Sequence, residues 1–237
     1  MANPRVSIII PTSAHLEDCM LPCLDSILKY TNLEDKEIIV VSNSSDPSDR
    51  TLGVLGGYFF NVPSFQLLPY KQQLGYTRAT NIGILNSTGE YIVFLNNDTV
   101  LLDQPKDQWI DMLINPLKDT NIGVTGPLSL TDNGTGFPFI VFFCAATTRD
   151  VINRVGVLNE TFSPGGCEDI DFCIRAQKEN YNIATVPHNN LTQGNQQFIG
   201  GFPIWHKGEV TVHEKREAYS NNFRKNELKL IEMYGQR

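Results

Sequence analysis

The chain has 237 residues, 41% hydrophobic and 19% charged, an ordinary globular composition with ample length for a sizeable core. Its formal net charge of −7 argues against a nucleic-acid partner, which needs basic surface, and no stretch approaches the roughly 20 apolar residues of a transmembrane segment. Cys19, Cys23, Cys144, Cys167 and Cys173 are odd in number and lack paired zinc spacing, so reduced thiols in a cytoplasmic setting are expected, peripheral membrane association remaining compatible.

The N-terminal MANPRVSIIIPTS has too short an apolar core for a secretory signal. Residues 5–10 read as a strand stopped by Pro11. Residues 16–30 carry Leu16, Met20, Cys23, Leu24, Ile27 and Leu28 at helical spacing. A second buried strand is expected at 37–41, ending in the polar SNSSDPSD loop, and a short third at 65–68. A helix over 75–86 precedes the apolar run 91–95, which Gly89 before it and Asn96-Asn97-Asp98 after it mark as a strand.

The second half is less regular. Helices are expected at 109–117, 168–179 and 215–234, and strands at 122–125, 137–144 and 182–186. The alternation predicts an α/β fold, a mixed and mostly parallel central sheet with helices on both faces. The change of rhythm after about residue 103 suggests one domain over 1–237 with two halves. The first, about 1–103, would bind a nucleotide, and the second, about 104–237, an acceptor.

Three polar clusters follow three early strands: Pro11-Thr12-Ser13, Ser42-Asn43-Ser44 and Asn96-Asn97-Asp98. In a parallel sheet these ends lie on one edge, where ligands collect. The Asp98 carboxylate with two amides beside it suits a hard divalent cation, which keeps substrate phosphates among its ligands. Taken alone, Asn96-Asn97-Asp98 fits an Asx turn equally well. Gly75 permits close backbone approach, and Arg78 at a helix start offers a planar cationic fork for phosphate. Glu168, Asp169 and Asp171 crowd a helix start, where the dipole favours acids whatever the function, yet such crowding can also raise one pKa and fit it for base work. His206, in Trp205-His206-Lys207-Gly208, or His213 could supply an imidazole to a cation at Asp98.

In this order and spacing, VSIIIPT, EIIVVSNSS, LGYTRATNIGILNSTGEYIVFLNNDT, GGCEDIDFCIRA and IWHKG resemble family 2 glycosyltransferases with the Rossmann-like GT-A fold. The likeness spans about residues 5–210 and is greatest to the rhamnosyltransferase-like branch, where NND replaces the more usual DxD. FRKNELKLIEMYG also resembles that branch's terminal helix. The resemblance implies Pro11 and Thr12 flanking the nucleotide, and Asn96, Asn97 and Asp98 at the diphosphate and metal, with Asp98 the direct ligand. It implies Asp169 as the catalytic base with Glu168 beside it, and His206 approaching the metal or diphosphate. Many relatives carry an Asp against the nucleoside where this chain has Ser42 followed by Asn43.

The activity so implied is inverting, metal-dependent transfer from a nucleotide-diphosphate sugar, UDP- or dTDP-linked, to a hydroxyl of a glycan or glycoconjugate, with Mn²⁺ or Mg²⁺ as cofactor. One alternative is a sugar nucleotidyltransferase, but Pro11-Thr12-Ser13 is not the Gly- and Lys/Arg-rich loop a triphosphate needs. The other is a non-catalytic glycan-binding domain that has kept the fold. Asn43, Asn86, Asn97, Asn133, Asn159 and Asn190 begin N-x-S/T triplets, and a glycan on Asn97 would fill the expected metal site. A working site therefore implies a chain outside the secretory lumen.

Overall fold

A computed structural model describes residues 5–44, 46, 49–187, 201–208 and 216–235. The strands are β1 (Val6–Thr12), β2 (Lys36–Ser42), β3 (Phe65–Pro69), β4 (Tyr91–Leu95), β5 (Thr99–Leu101), β6 (Ile122–Gly126), β7 (Ser129–Thr131), β8 (Pro138–Ile140), β9 (Cys144–Thr148), β10 (Asn182–Thr185) and β11 (Ile204–His206). The helices are α1 (Leu21–Tyr30), α2 (Thr51–Asn61), α3 (Tyr76–Asn86), α4 (Gln108–Leu117), α5 (Arg149–Val155), α6 (Glu168–Lys178) and α7 (Arg216–Tyr234).

Seven strands form one sheet in the order β10-β6-β9-β4-β1-β2-β3. All neighbours are parallel except β9, which runs antiparallel to both β4 and β6. Alternation along β1 explains the layering, because successive side chains point to opposite faces. Ile8 and Ile10 pack with Leu24 and Ile27 of α1, Leu55 of α2 and Trp109 of α4. Ile9 faces the other way, toward Ile84 of α3, Val151 of α5 and Phe172 of α6. Both faces are thus covered, which is why β1, β2 and β4 read as continuous apolar runs.

Two sequence expectations need correction, and one helix was not anticipated. Pro11 does not stop β1, which pairs with β2 as far as Thr12↔Ser42. Pairing of β1 with β4 ends at Ile9↔Phe94, and the Thr12 carbonyl accepts from the Asn43 amide on the β2 side. The neighbouring Pro11 therefore turns its missing donor to the side where the ladder has ended. The apolar stretch 137–144 is not one strand: it divides into β8 and the start of β9, which belong to different sheets, with Val141-Phe142-Phe143 turning between them. The segment 51–61, to which the sequence reading assigns no element, is helical, with Leu55 fully buried beneath it.

Candidate functional site

The carboxyl ends of β1, β2 and β4 meet as expected. Asn97 Nδ2 donates to Thr12 Oγ1 at 2.9 Å, and Asn43 Nδ2 donates to the Thr12 carbonyl at 2.9 Å. Asn43 Oδ1 accepts from the Leu74 amide at 3.1 Å, so its amide group is spent on holding two loops together. Ser42 and Asn43 are both buried, at 1% and 2% exposure. They form a floor under the strand ends. The segments after β1 and β2 line a cavity of about 270 Å³ with His15, Glu17, Asp46, Asp49 and Arg50 among its walls. Asp46 and Asp49 sit in the SNSSDPSD loop, where a run of short polar residues gave no positional signal, and Glu17 sits in the π-helical turn Leu16–Met20 that leads into α1.

Asp98 follows directly on Asn97. Immediately after it, β5 pairs antiparallel with β11, placing His206 opposite Thr99, and the Lys207 amide donates to the Asp98 carbonyl at 3.0 Å. The His206 ring stacks on Phe143 with centroids 4.4 Å apart and planes 12° from parallel. This ladder and stack bring His206 Nε2 to 3.2 Å from Asp98 Oδ1, both side chains being largely shielded from water. Asp98 Oδ1 is nonetheless buried without a hydrogen-bond partner, as is Asn96 Oδ1. Octahedral ligands at about 2.1 Å from a cation lie roughly 3 Å from one another, so the carboxylate oxygen and the imidazole nitrogen fit a shared divalent ion. His213 lies outside the described residues.

A second group, His15, Asp18 and Cys19, also brings three potential ligands together. There, however, Lys207 Nζ already occupies Asp18 at 2.8 Å, and burial pushes the Cys19 thiol up to about 12.

The acidic pair arrives from the second half of the chain. Gly166 and Cys167 both have left-handed backbone, at φ 96 and 75, and α6 begins at Glu168. Glu168 is buried, with Oε2 lacking a partner. Burial, reinforced by the Asp169 charge, pushes its carboxyl well above the usual range. Asp169 is also raised by burial, less far, because backbone N–H groups of Ile170 and Phe142 support its charged form. Asp171 serves the fold: Arg175 Nε donates to it at 2.7 Å and the Tyr234 hydroxyl at 2.8 Å.

Tyr76, whose stretch Gly75-Tyr76-Thr77-Arg78 was expected at the pocket rim without a role for the phenol, lies between the Asp98–His206 pair and the acidic pair. Its hydroxyl donates to the Phe142 carbonyl at 3.0 Å. Burial and the charges of Glu168, Asp169 and Asp98 together hold its pKa well above the ordinary phenol value. The Phe142-Phe143 turn lies between the two groups: the Phe142 N–H supports Asp169, while the Phe143 carbonyl accepts from the Asn96 amide and the Phe143 ring stacks on His206. Gly75 packs closely against the loop before α6. Its φ is 78, an added Cβ would lie 2.5 Å from Pro164, and the Pro164 carbonyl accepts from the Tyr76 and Thr77 amides at the start of α3. Arg78 is half-exposed and ion-paired with Glu160 at 3.3 Å.

A mostly parallel sheet with helices on both faces and an acidic cluster at its strand ends defines a GT-A-type α/β fold. It is shared with a mannosyltransferase from Pyrobaculum calidifontis solved with GDP-Man and Mn²⁺ (TM-score 0.61, 20% identity, 78% of this chain and 55% of that one). It is shared also with GalNAc-T7 solved with UDP, GalNAc and Mn²⁺ (TM-score 0.67, 12% identity, 78% and 43%). The chain belongs to glycosyl transferase family 2, whose model matches residues 7–155. An O-antigen biosynthesis protein of Myxococcus xanthus, RfbC, is 29% identical over 226 residues, 80% of this chain and 17% of RfbC. The chain spans a quarter or less of the curated relatives it matches first. Among the described residues, no helix is long and apolar enough to cross a membrane.

Proposed function

We propose that this chain is an inverting, metal-dependent glycosyltransferase acting on a nucleotide-diphosphate sugar and a hydroxyl of a glycan or glycoconjugate. The observation that carries this reading is the pairing of Asp98 with His206 across a site that also holds Asp169. Asp98 and His206 would hold Mn²⁺ or Mg²⁺, which when bound supplies Lewis-acid stabilisation to the departing diphosphate. Thr12, Asn97 and the cavity lined by the segments after β1 and β2 receive the nucleotide, over a floor of Pro11, Ser42 and Asn43. Arg78 and Gly75 then contribute through the placement of α3.

Asp169 takes the acceptor hydroxyl proton as the acceptor oxygen bonds to the anomeric carbon and the bond from that carbon to the diphosphate breaks. Glu168, kept neutral by burial near pH 7, orients the acceptor as a hydrogen-bond donor. With one carboxylate as base and its neighbour protonated, direct displacement with inversion is the simplest course. The donor class supported by the sequence resemblance is a UDP- or dTDP-sugar, a deoxyhexose fitting the rhamnosyltransferase-like motifs. The test is incubation with UDP-, dTDP- and GDP-sugars and Mn²⁺. Release of nucleoside diphosphate supports the proposal, whereas donor binding without turnover, under any acceptor supplied, favours a non-catalytic glycan-binding domain.

A further inference from the structure

We infer that Asn226, on the C-terminal helix α7, is a positioning residue that fixes the loop carrying Asp169. The inference rests on the reading of Asp169 as the base. Asn226 is completely buried on a helix that is otherwise rich in exposed charge, including Arg224 and Lys225. A buried amide is costly unless its hydrogen bonds are made, so its partners state its role.

Those partners are backbone carbonyls of one loop. Asn226 Nδ2 donates to Phe162 O at 2.9 Å, Gly166 O at 3.0 Å and Gly165 O at 3.3 Å. Its Oδ1 lies 3.4 Å from Lys229 Nζ, and that ammonium also donates to the Thr161 carbonyl at 2.8 Å. One turn earlier, Asn222 Nδ2 donates to the Gly165 carbonyl at 2.8 Å. Residues 163–167 belong to no strand or helix, so side chains of α7 satisfy carbonyls that a ladder would satisfy elsewhere.

The held loop touches the site in two places. The backbone N–H of Gly166, whose carbonyl Asn226 grips, supports the Glu168 carboxylate. The carbonyl of Pro164 receives the Tyr76 amide at 2.6 Å, which sets the start of α3. Moving this loop therefore moves the first turn of α6, with Asp169 in it, relative to Tyr76 and the cation ligands. The nucleotide floor at Thr12 and Asn43 touches this loop at one remove, through Leu74 and Gly75, and should respond much less.

The test compares wild type with Asn226→Ala and with Asn222→Ala, a half-buried position whose loss should leave the fold intact. Amide hydrogen exchange is followed over residues 163–169, and nucleoside diphosphate release is followed from the UDP-, dTDP- and GDP-sugar panel with Mn²⁺. Asn226→Ala should speed exchange over 163–169 while β1, β2 and β4 stay protected. It should lower kcat by roughly ten- to a hundredfold, the range a misplacement of about an ångström produces, with donor KM within about twofold. The acid limb of its pH profile should move toward lower pH as water reaches Asp169. Asn222→Ala should show the same pattern at smaller amplitude, and it decides the matter if Asn226→Ala does not fold. Unchanged exchange over 163–169, or a rise in donor KM at constant kcat, would overturn the inference. An active Asp169→Asn enzyme would overturn the base assignment instead, a result separable from the exchange measurement.

Discussion

Asp98 Oδ1 and His206 Nε2 stand 3.2 Å apart although they come from opposite halves of the chain. The short β5–β11 ladder and the Phe143 ring create this proximity, and the carboxylate oxygen within it has no hydrogen-bond donor. A shielded carboxylate oxygen in that condition suits a positive partner, which is the basis of the proposed cation site.

Removing the imidazole should therefore act on the metal. His206→Ala is expected to raise the Mn²⁺ concentration for half-maximal turnover by about tenfold or more, in the range that loss of a metal-site partner produces. His213→Ala should shift it much less. Metal titration of initial rates decides, and the reverse ranking would transfer the role to His213.

Asp169→Asn preserves size but cannot take a proton. Transfer should fall by roughly 10²–10⁴-fold at an unchanged donor KM, the signature of an interaction made in the transition state. Loss of donor binding in this variant would place the base elsewhere.

The pH dependence follows from burial. Asp169 is raised above the ordinary carboxylate range, so its proton returns at a higher pH than for a free Asp, about 3.9. Activity should be lost as pH falls through that raised value, giving an acid limb displaced toward neutrality in kcat/KM. A limb near pH 4 would contradict the assignment.

Glu168 should also be visible in stability. Its folded pKa is raised, so its contribution is complete below the unfolded value of about 4.3 and is lost as pH rises through the folded one. Glu168→Gln lacks that loss. The Tm of the variant relative to wild type should climb between pH 5 and pH 9 in thermal melts, and a difference independent of pH would show that Glu168 is not desolvated.

The strands that build the nucleotide side were legible because they are buried on both faces and end in abrupt polar clusters, as at Leu95-Asn96. Thr12, Asn97 and Asp98 could be placed together on that ground alone. His206 could be suspected but not placed, since β5 and β11 are three residues each and carry no periodic signal. Helix α2 was hidden by Gly53, Gly56 and Gly57, whose poor helix propensity is outweighed by burial of Leu55 and by the Asp49 carboxylate accepting from the Thr51 amide at 2.9 Å. The break at Val141-Phe142-Phe143 was invisible because every residue there is apolar. Tertiary contacts alone reveal that the turn presents the Phe142 carbonyl to Tyr76 and the Phe143 carbonyl to the Asn96 amide.

The most direct measurement is calorimetric titration of UDP, dTDP and GDP into wild type and Asp98→Ala, each with and without Mn²⁺. In wild type, Mn²⁺ should tighten the preferred nucleotide by at least about tenfold, because two protein ligands make a weak site until the diphosphate completes it. In Asp98→Ala that gain should vanish while the protein stays folded. Nucleotide binding that ignores Mn²⁺, or a metal-dependent gain that survives Asp98→Ala, would contradict the metal site at Asp98 and His206.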